Sequence, residues 1–117
     1  MKVKFYLNGL KVKEKVKHYI RVRIAKLQKY FKNQTVSIEM EIEKDKRGIY
    51  RVEIQLRVPG SRYIGDAKAK TIKAAFDLAR DGLSDQIRRK KEKRQTIERR
   101  GAISIKKKFS IDEGARF

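Results

Sequence analysis

The chain has 117 residues, and 33 Lys and Arg against 14 Asp and Glu give it a formal net charge of +19. It contains no cysteine, which excludes a disulfide framework, a thiolate nucleophile and any Cys-based metal site. The length fits one domain with a modest core. No apolar run is long enough to span a bilayer and none reads as a secretory leader, so the expected compartment is the cytoplasm.

Lys2 to Leu7 predicts a first strand, because Val3, Phe5 and Leu7 alternate with Lys2, Lys4 and Tyr6. Asn8-Gly9 is a turn signal. The period then changes. Val12, Val16, Ile20, Ile24, Leu27 and Phe31 recur every three or four residues, which predicts one face of a helix of about five turns. Val36 to Glu43 and Tyr50 to Val58 alternate apolar and polar residues and predict two half-buried strands around the turn Lys44 to Gly48. Opposite charges on their outer faces can pair across the strands. Pro59-Gly60-Ser61 makes the next turn, and Arg62 to Ala69 is a weaker fourth strand. A second helix begins near Lys70-Thr71 with the stripe Ile72, Ala75, Phe76, Ala79, Leu83 and Ile87.

The expected order is therefore β-α-β-β-β-α. Single apolar faces imply a two-layer α+β fold, a four-stranded sheet with both helices on one side. A second helix from Lys70 to about Glu98 would be on the order of 40 Å long, against about 20–27 Å for a strand, so its basic end should overhang the sheet. These boundaries give a domain over residues 1–98 and a C-terminal tail over 99–117. The tail holds Ile103, Ile105, Phe109 and Ile111, and docking, edge pairing and mobility all stay open for it.

The positive charge is patterned. Lys11 to Lys32 holds nine Lys or Arg and one acid, Glu14. On helical spacing Lys15, Tyr19, Lys26 and Tyr30 share a shoulder with Arg23 beside them, and Lys73, Arg80, Arg88 and Lys91 share one side of the second helix, apart from a ridge of Asp77, Asp81 and Asp85. Arg88 to Arg100, RRKKEKRQTIERR, has eight basic residues in thirteen, lying past the point where the core stripe gives out. Such a run repels itself unless a polyanion lies against it, and the pattern points to nucleic acid more than to a merely solvated surface. Tyr19 and Tyr30 could stack on bases, although a core-edge place with a wet hydroxyl is favoured. The lone His18 reads as solvated. Glu39, Glu41 and Glu43 share a strand face, where neighbouring Lys and Arg are simpler partners than a metal. With no phosphate-binding glycine loop, paired metal histidines or serine elbow, neither an enzyme activity nor a cofactor is expected.

Three stretches, in the right order within this frame, resemble the family of ribosome hibernation promoting factors and ribosome-associated translation inhibitors, over about Lys2 to Arg94. They are Ile24-Ala25-Lys26-Leu27-Gln28-Lys29-Tyr30-Phe31, then Val58-Pro59-Gly60, then Ala74-Ala75-Phe76-Asp77 followed by Leu83, Gln86 and the basic Arg88 to Lys93. The resemblance implies a fold similar to double-stranded-RNA-binding domains. It also implies binding to the small ribosomal subunit and its rRNA in the mRNA and tRNA channel, with translation blocked, by a protein that is a monomer off the ribosome. The implied RNA-binding residues are Arg23, Lys26 and Lys29 on the first helix and Arg88, Arg89, Lys91, Lys93 and Arg94 on the second. Gly82 and Asp85 depart from the family, which often has Lys and Arg there. Too little chain follows Arg94 for the dimerisation domain of long family members. The expectation is thus a non-enzymatic translation inhibitor without membrane or small-molecule substrate, the alternative being a constitutive ribosomal or generic duplex-RNA-binding protein.

Overall fold

The structure, a computed structural model, describes residues 1–110, with side chains described through Lys93. The elements run β1 (Lys2–Leu7), α1 (Glu14–Ala25), a 3-10 helix (Lys26–Tyr30), β2 (Ser37–Lys44), β3 (Tyr50–Val58), β4 (Ser61–Ala69) and α2 (Ile72–Ser110). The chain divides into two units, Met1–Ile87 and Arg88–Phe117.

In the first unit the four strands form one sheet in the order β1-β2-β3-β4. β1 and β2 are parallel, with Val3 opposite Ile38 and Phe5 opposite Met40. A parallel pair needs a crossover, and α1 with its 3-10 extension supplies it. β2-β3 and β3-β4 are antiparallel hairpins. The second closes on Pro59-Gly60, with Gly60 at φ 81°. Proline first and a left-handed glycine second is the sequence that a type II turn requires. The β2-β3 turn is held by Asp45, whose carboxylate accepts the backbone N–H groups of Arg47 (2.8 Å) and Ile49 (2.9 Å). Those bonds, the Ile49 one foremost, hold its pKa below the ordinary 3.8.

The period-two alternation sorts the sheet cleanly. Ile38, Met40 and Ile42 of β2 and Val52, Ile54 and Leu56 of β3 are buried, while their alternates face water. Both helices cover the apolar face. Ile20 and Ile24 of α1, and Ala75, Phe76, Ala79, Leu83 and Ile87 of α2, join the strands in one core. A large apolar side chain buried this way stabilises the fold by about 1.5–3 kcal/mol over leaving it exposed. The expected four-stranded α+β architecture with two helices on one face is the observed one.

β4 is weak in apolar residues because of its neighbour. A Cβ on Gly65 would collide with the backbone oxygen of Ala79, so α2 lies directly on the strand and only glycine fits. Tyr63 is buried against Phe31, ring centroids 5.8 Å apart, whereas Ile64 faces outward. The Ile64 N–H donates to the side-chain oxygen of Gln86 on α2 at 2.9 Å.

Two expectations about the helices need correction. The first helix is not five α-turns: it is α-helical only to Ala25 and then tightens into the 3-10 segment. Gln28 drives the stop, since its side-chain amide donates to the carbonyls of Lys32 (3.1 Å) and Gln34 (3.2 Å), with Lys32 in a left-handed conformation at φ 37°. The apolar stripe survives because Leu27 and Phe31 still reach the core. The second helix begins where expected, with the Thr71 hydroxyl accepting the Ala74 N–H at 3.1 Å as an N-cap. It does not end near Glu98 but runs to Ser110. No proline interrupts this stretch, and Gly101 costs only about 1 kcal/mol relative to alanine.

Candidate nucleic-acid interface

The two helices are joined through Tyr19. Its hydroxyl donates to the Asp77 carboxylate, at 2.9 Å from the nearer oxygen, and its ring packs edge-on against Phe76 with centroids 6.3 Å apart. The Arg23 guanidinium lies 3.8 Å from the ring centroid and the Lys73 ammonium 4.9 Å from it. Tyr19 is therefore the core-edge residue its spacing favoured. Its ring is already used by two cations, which leaves it poorly placed to stack on a base.

Arg23, Lys26 and Lys29 come together at the C-terminal end of α1. Arg23 is half-buried on Tyr19, while Lys26 and Lys29 are exposed. The 3-10 segment changes their geometry. At three residues per turn, side chains three apart eclipse one another, so Lys26 and Lys29 project from one side. The shared shoulder of Lys26 and Tyr30, which assumed α spacing, does not survive this change of pitch. Part of this charge also serves the helix, because cations near a helix C-terminus offset the negative end of its dipole.

Arg88, Arg89, Lys91 and Lys93 belong to the second unit. Arg88, Arg89 and Lys93 are exposed and Lys91 is half-buried; the Arg94 side chain lies outside the described residues. At about 100° per residue, Arg88 and Lys91 fall on one side of α2 and Arg89 and Lys93 on another, so the run offers two basic ridges rather than one. In the first unit, Asp81 of the acidic ridge takes Arg80 at 3.0 Å, and Asp77 is spent on Tyr19. Gly82 has nothing within 4 Å of a Cβ position.

The opposite face of the sheet has different chemistry. Arg51 reaches Asp66 at 2.7 Å, Glu43 at 3.3 Å, Glu41 at 3.7 Å and Glu53 at 3.9 Å. The hydrogen bond that Arg51 donates to Asp66, then the charges of Asp66 and Glu53 and the bond to Glu43, raise the Arg51 pKa further above its ordinary value. This one guanidinium collects carboxylates from three strands, and Glu41 and Glu43 are held by it as the sequence had suggested for neighbouring cations. The hub itself was not foreseen, although Arg51 opposite Glu43 in alternating strands was a usable signal. Positive charge is thus gathered on the helix side, while the sheet's outer face carries both signs in near balance. Among the described residues, no group of His, Asp or Glu is arranged to hold a metal ion, and no helix is long and apolar enough to cross a membrane.

A basic helix layer over a four-stranded mixed sheet defines a small two-layer α+β protein. The model of the Sigma 54 modulation protein / S30EA ribosomal protein family matches residues 3–95, and the chain belongs to that family. It is a family of non-enzymatic, ribosome-associated proteins. The chain is 28% identical over 98 residues to a ribosome hibernation promoting factor of Pseudomonas putida, covering 83% of this chain and 93% of that one. Its fold is similar to the N-terminal domain of Protein Y from Thermus thermophilus, with a TM-score of 0.68, 23% identity, and coverage of 76% of this chain and 98% of the other. It is also similar to a ribosomal subunit interface protein from Coxiella burnetii, with a TM-score of 0.71, 15% identity, and coverage of 79% and 99%.

Proposed function

We propose that this protein is a ribosome hibernation factor that binds small-subunit rRNA in the mRNA and tRNA channel and inhibits translation by occupying it. The observation that carries the reading is the family match over residues 3–95, joined to a helix layer on which the cations cluster. Arg23, Lys26 and Lys29 in the first unit, and Arg88, Arg89, Lys91, Lys93 and Arg94 in the second, are the phosphate contacts. The mechanism is steric and electrostatic. Lysine and arginine neutralise backbone phosphates and release counterions, so affinity falls steeply with salt. The bound protein excludes other ligands from the same channel, and no bond is made or broken.

The test is co-sedimentation with ribosomal subunits and polysomes across a salt series. The wild-type chain should travel with small subunits at low salt, be absent from polysomes, and dissociate as salt rises. Reversing Arg88, Arg89, Lys91 and Lys93 together to Glu should abolish binding at moderate salt. Restoring each contact should steepen the logarithmic salt dependence by roughly 0.7–0.9. Normal binding by the quadruple variant would refute the proposed contacts, and equal occupancy of polysomes would favour a constitutive ribosomal protein.

A further inference from the structure

The first unit contains an open pocket of about 450 Å³ at the end of the helix layer where α1 and α2 both begin. The two helices run side by side in the same direction. Tyr19 lies five residues past the first residue of α1, Asp77 lies five past the first of α2, and the two are hydrogen-bonded. Four lysines line the pocket: Lys11, Lys13, Lys70 and Lys73. Its apolar wall comes from Val12, Val16, Ile72 and the ring of Tyr50. No carboxylate lines it, and among the described residues none of the four lysines forms an ion pair.

This placement of charge opposes what helix stability prefers. The N-terminal end of a helix is its positive pole and is stabilised by acidic side chains. Here Lys13 is the N-cap residue of α1 and makes no side-chain cap, while α2 has no acidic residue in its first turn. Glu14, the acid in the first turn of α1, is turned to Lys17 and Arg21. Lys11, Lys13 and Lys70 stand beside two positive helix poles with no carboxylate on the pocket wall, an arrangement that a bound anion would stabilise. A site that breaks a local rule of this kind is where binding is expected. The volume falls in the range of small-molecule sites, about 300–1,000 Å³, and combines an apolar wall with convergent polar groups as such sites do.

The geometry points to a second ligand site, one that takes a nucleoside phosphate: the base and sugar lie on Val12, Val16, Ile72 and Tyr50, and the phosphate is held by Lys11, Lys13 and Lys70. The ligand is bound and not turned over. Lys11, Lys13 and Lys70 lie at the opposite end of α1 from Lys26 and Lys29, roughly 18 Å along a twelve-residue helix, while Lys73 meets Arg23 across the Tyr19 ring. The site uses none of Arg23, Lys26 and Lys29 and does not depend on that reading. The nucleoside phosphate is a free nucleotide, since RNA contact by the basic helix layer is already the proposed function.

The full chain, labelled for amide NMR, is titrated separately with ATP, adenosine, inorganic phosphate and a short oligoadenylate RNA at moderate salt. ATP should shift the amides of residues 11–16 and 70–73 before those of 88–93, with adenosine and phosphate each weaker. If only the oligoadenylate does so, the pocket is part of the RNA surface and the nucleotide site is overturned. Lys13→Glu and Lys70→Glu should each weaken binding roughly tenfold. Both place an acid at a helix N-terminus, so they should raise the thermal midpoint, which separates lost binding from lost folding. Shifts spread evenly over the basic helices, phosphate as effective as ATP, or binding unchanged in the two variants would each overturn the proposal.

Discussion

Tyr19 shows how much one side chain can organise. It touches Phe76, donates to Asp77, and seats Arg23 and Lys73 on its ring, so it fixes both the register of the helices and the place of a proposed RNA contact. Tyr19→Phe keeps the ring and removes the donor, leaving a half-buried carboxylate short of a partner. It should cost about 1 kcal/mol, the scale for a partly exposed hydrogen bond to a charged group, measured by urea denaturation. Binding to ribosomal subunits should change little, because Arg23 keeps its aromatic seat. The helical position of Tyr19 was legible in the sequence. Its partners were not, since a period of 3.6 says which face a residue occupies but not what lies opposite.

At the scale of elements, the strands were read nearly to the residue, because alternation and the turns Asp45-Lys46-Arg47-Gly48 and Pro59-Gly60 bound them on both sides. The helices were read by stripe alone, and there the ends went astray. Stripe spacing of three or four fits both an α-helix and a 3-10 continuation, so Leu27 and Phe31 were placed in the core correctly and in the wrong helix type. Gln28, whose side chain stops the helix, carries no signal until the loop it binds is folded. For α2, the loss of apolar residues after Ile87 marks the end of burial, not the end of the helix. Within α2, Gly82 is an open, exposed helical position. Gly82→Ala should stabilise the protein by about 1 kcal/mol, seen as a higher denaturation midpoint with an unchanged slope. No change would mean that the helix gains nothing from a better helix former there.

At the scale of the molecule, the fold segregates its electrostatics. The excess of 33 cations over 14 acids is global, yet the sheet's outer face nearly balances, with Lys2, Lys4, Arg51, Arg57, Arg62 and Lys68 against Glu39, Glu41, Glu43, Glu53 and Asp66, while the helix layer stays basic. This asymmetry was partly legible, since the middle strands are rich in Glu and both helices in Lys. The lysine pocket was not legible. Lys11 and Lys13 are far in sequence from Lys70 and Lys73, and only the parallel course of the two helices brings them to one end.

The contact between Gln86 and Ile64 has a consequence for how copies of the chain behave toward each other. β4 is the last strand of the sheet, and an outermost strand with free amide donors is a template on which another chain can add itself. Gln86 occupies one of those donors from above. A Gln86→Leu variant should fold normally and aggregate faster on concentration, with light scattering as the readout and β4 amides exchanging more quickly. On the opposite border, Lys2 and Lys4 of β1 discourage the same event by charge. The sheet is thus terminated on one side by a side-chain amide and on the other by repulsion, which keeps a strongly β-paired chain from polymerising through its own edges.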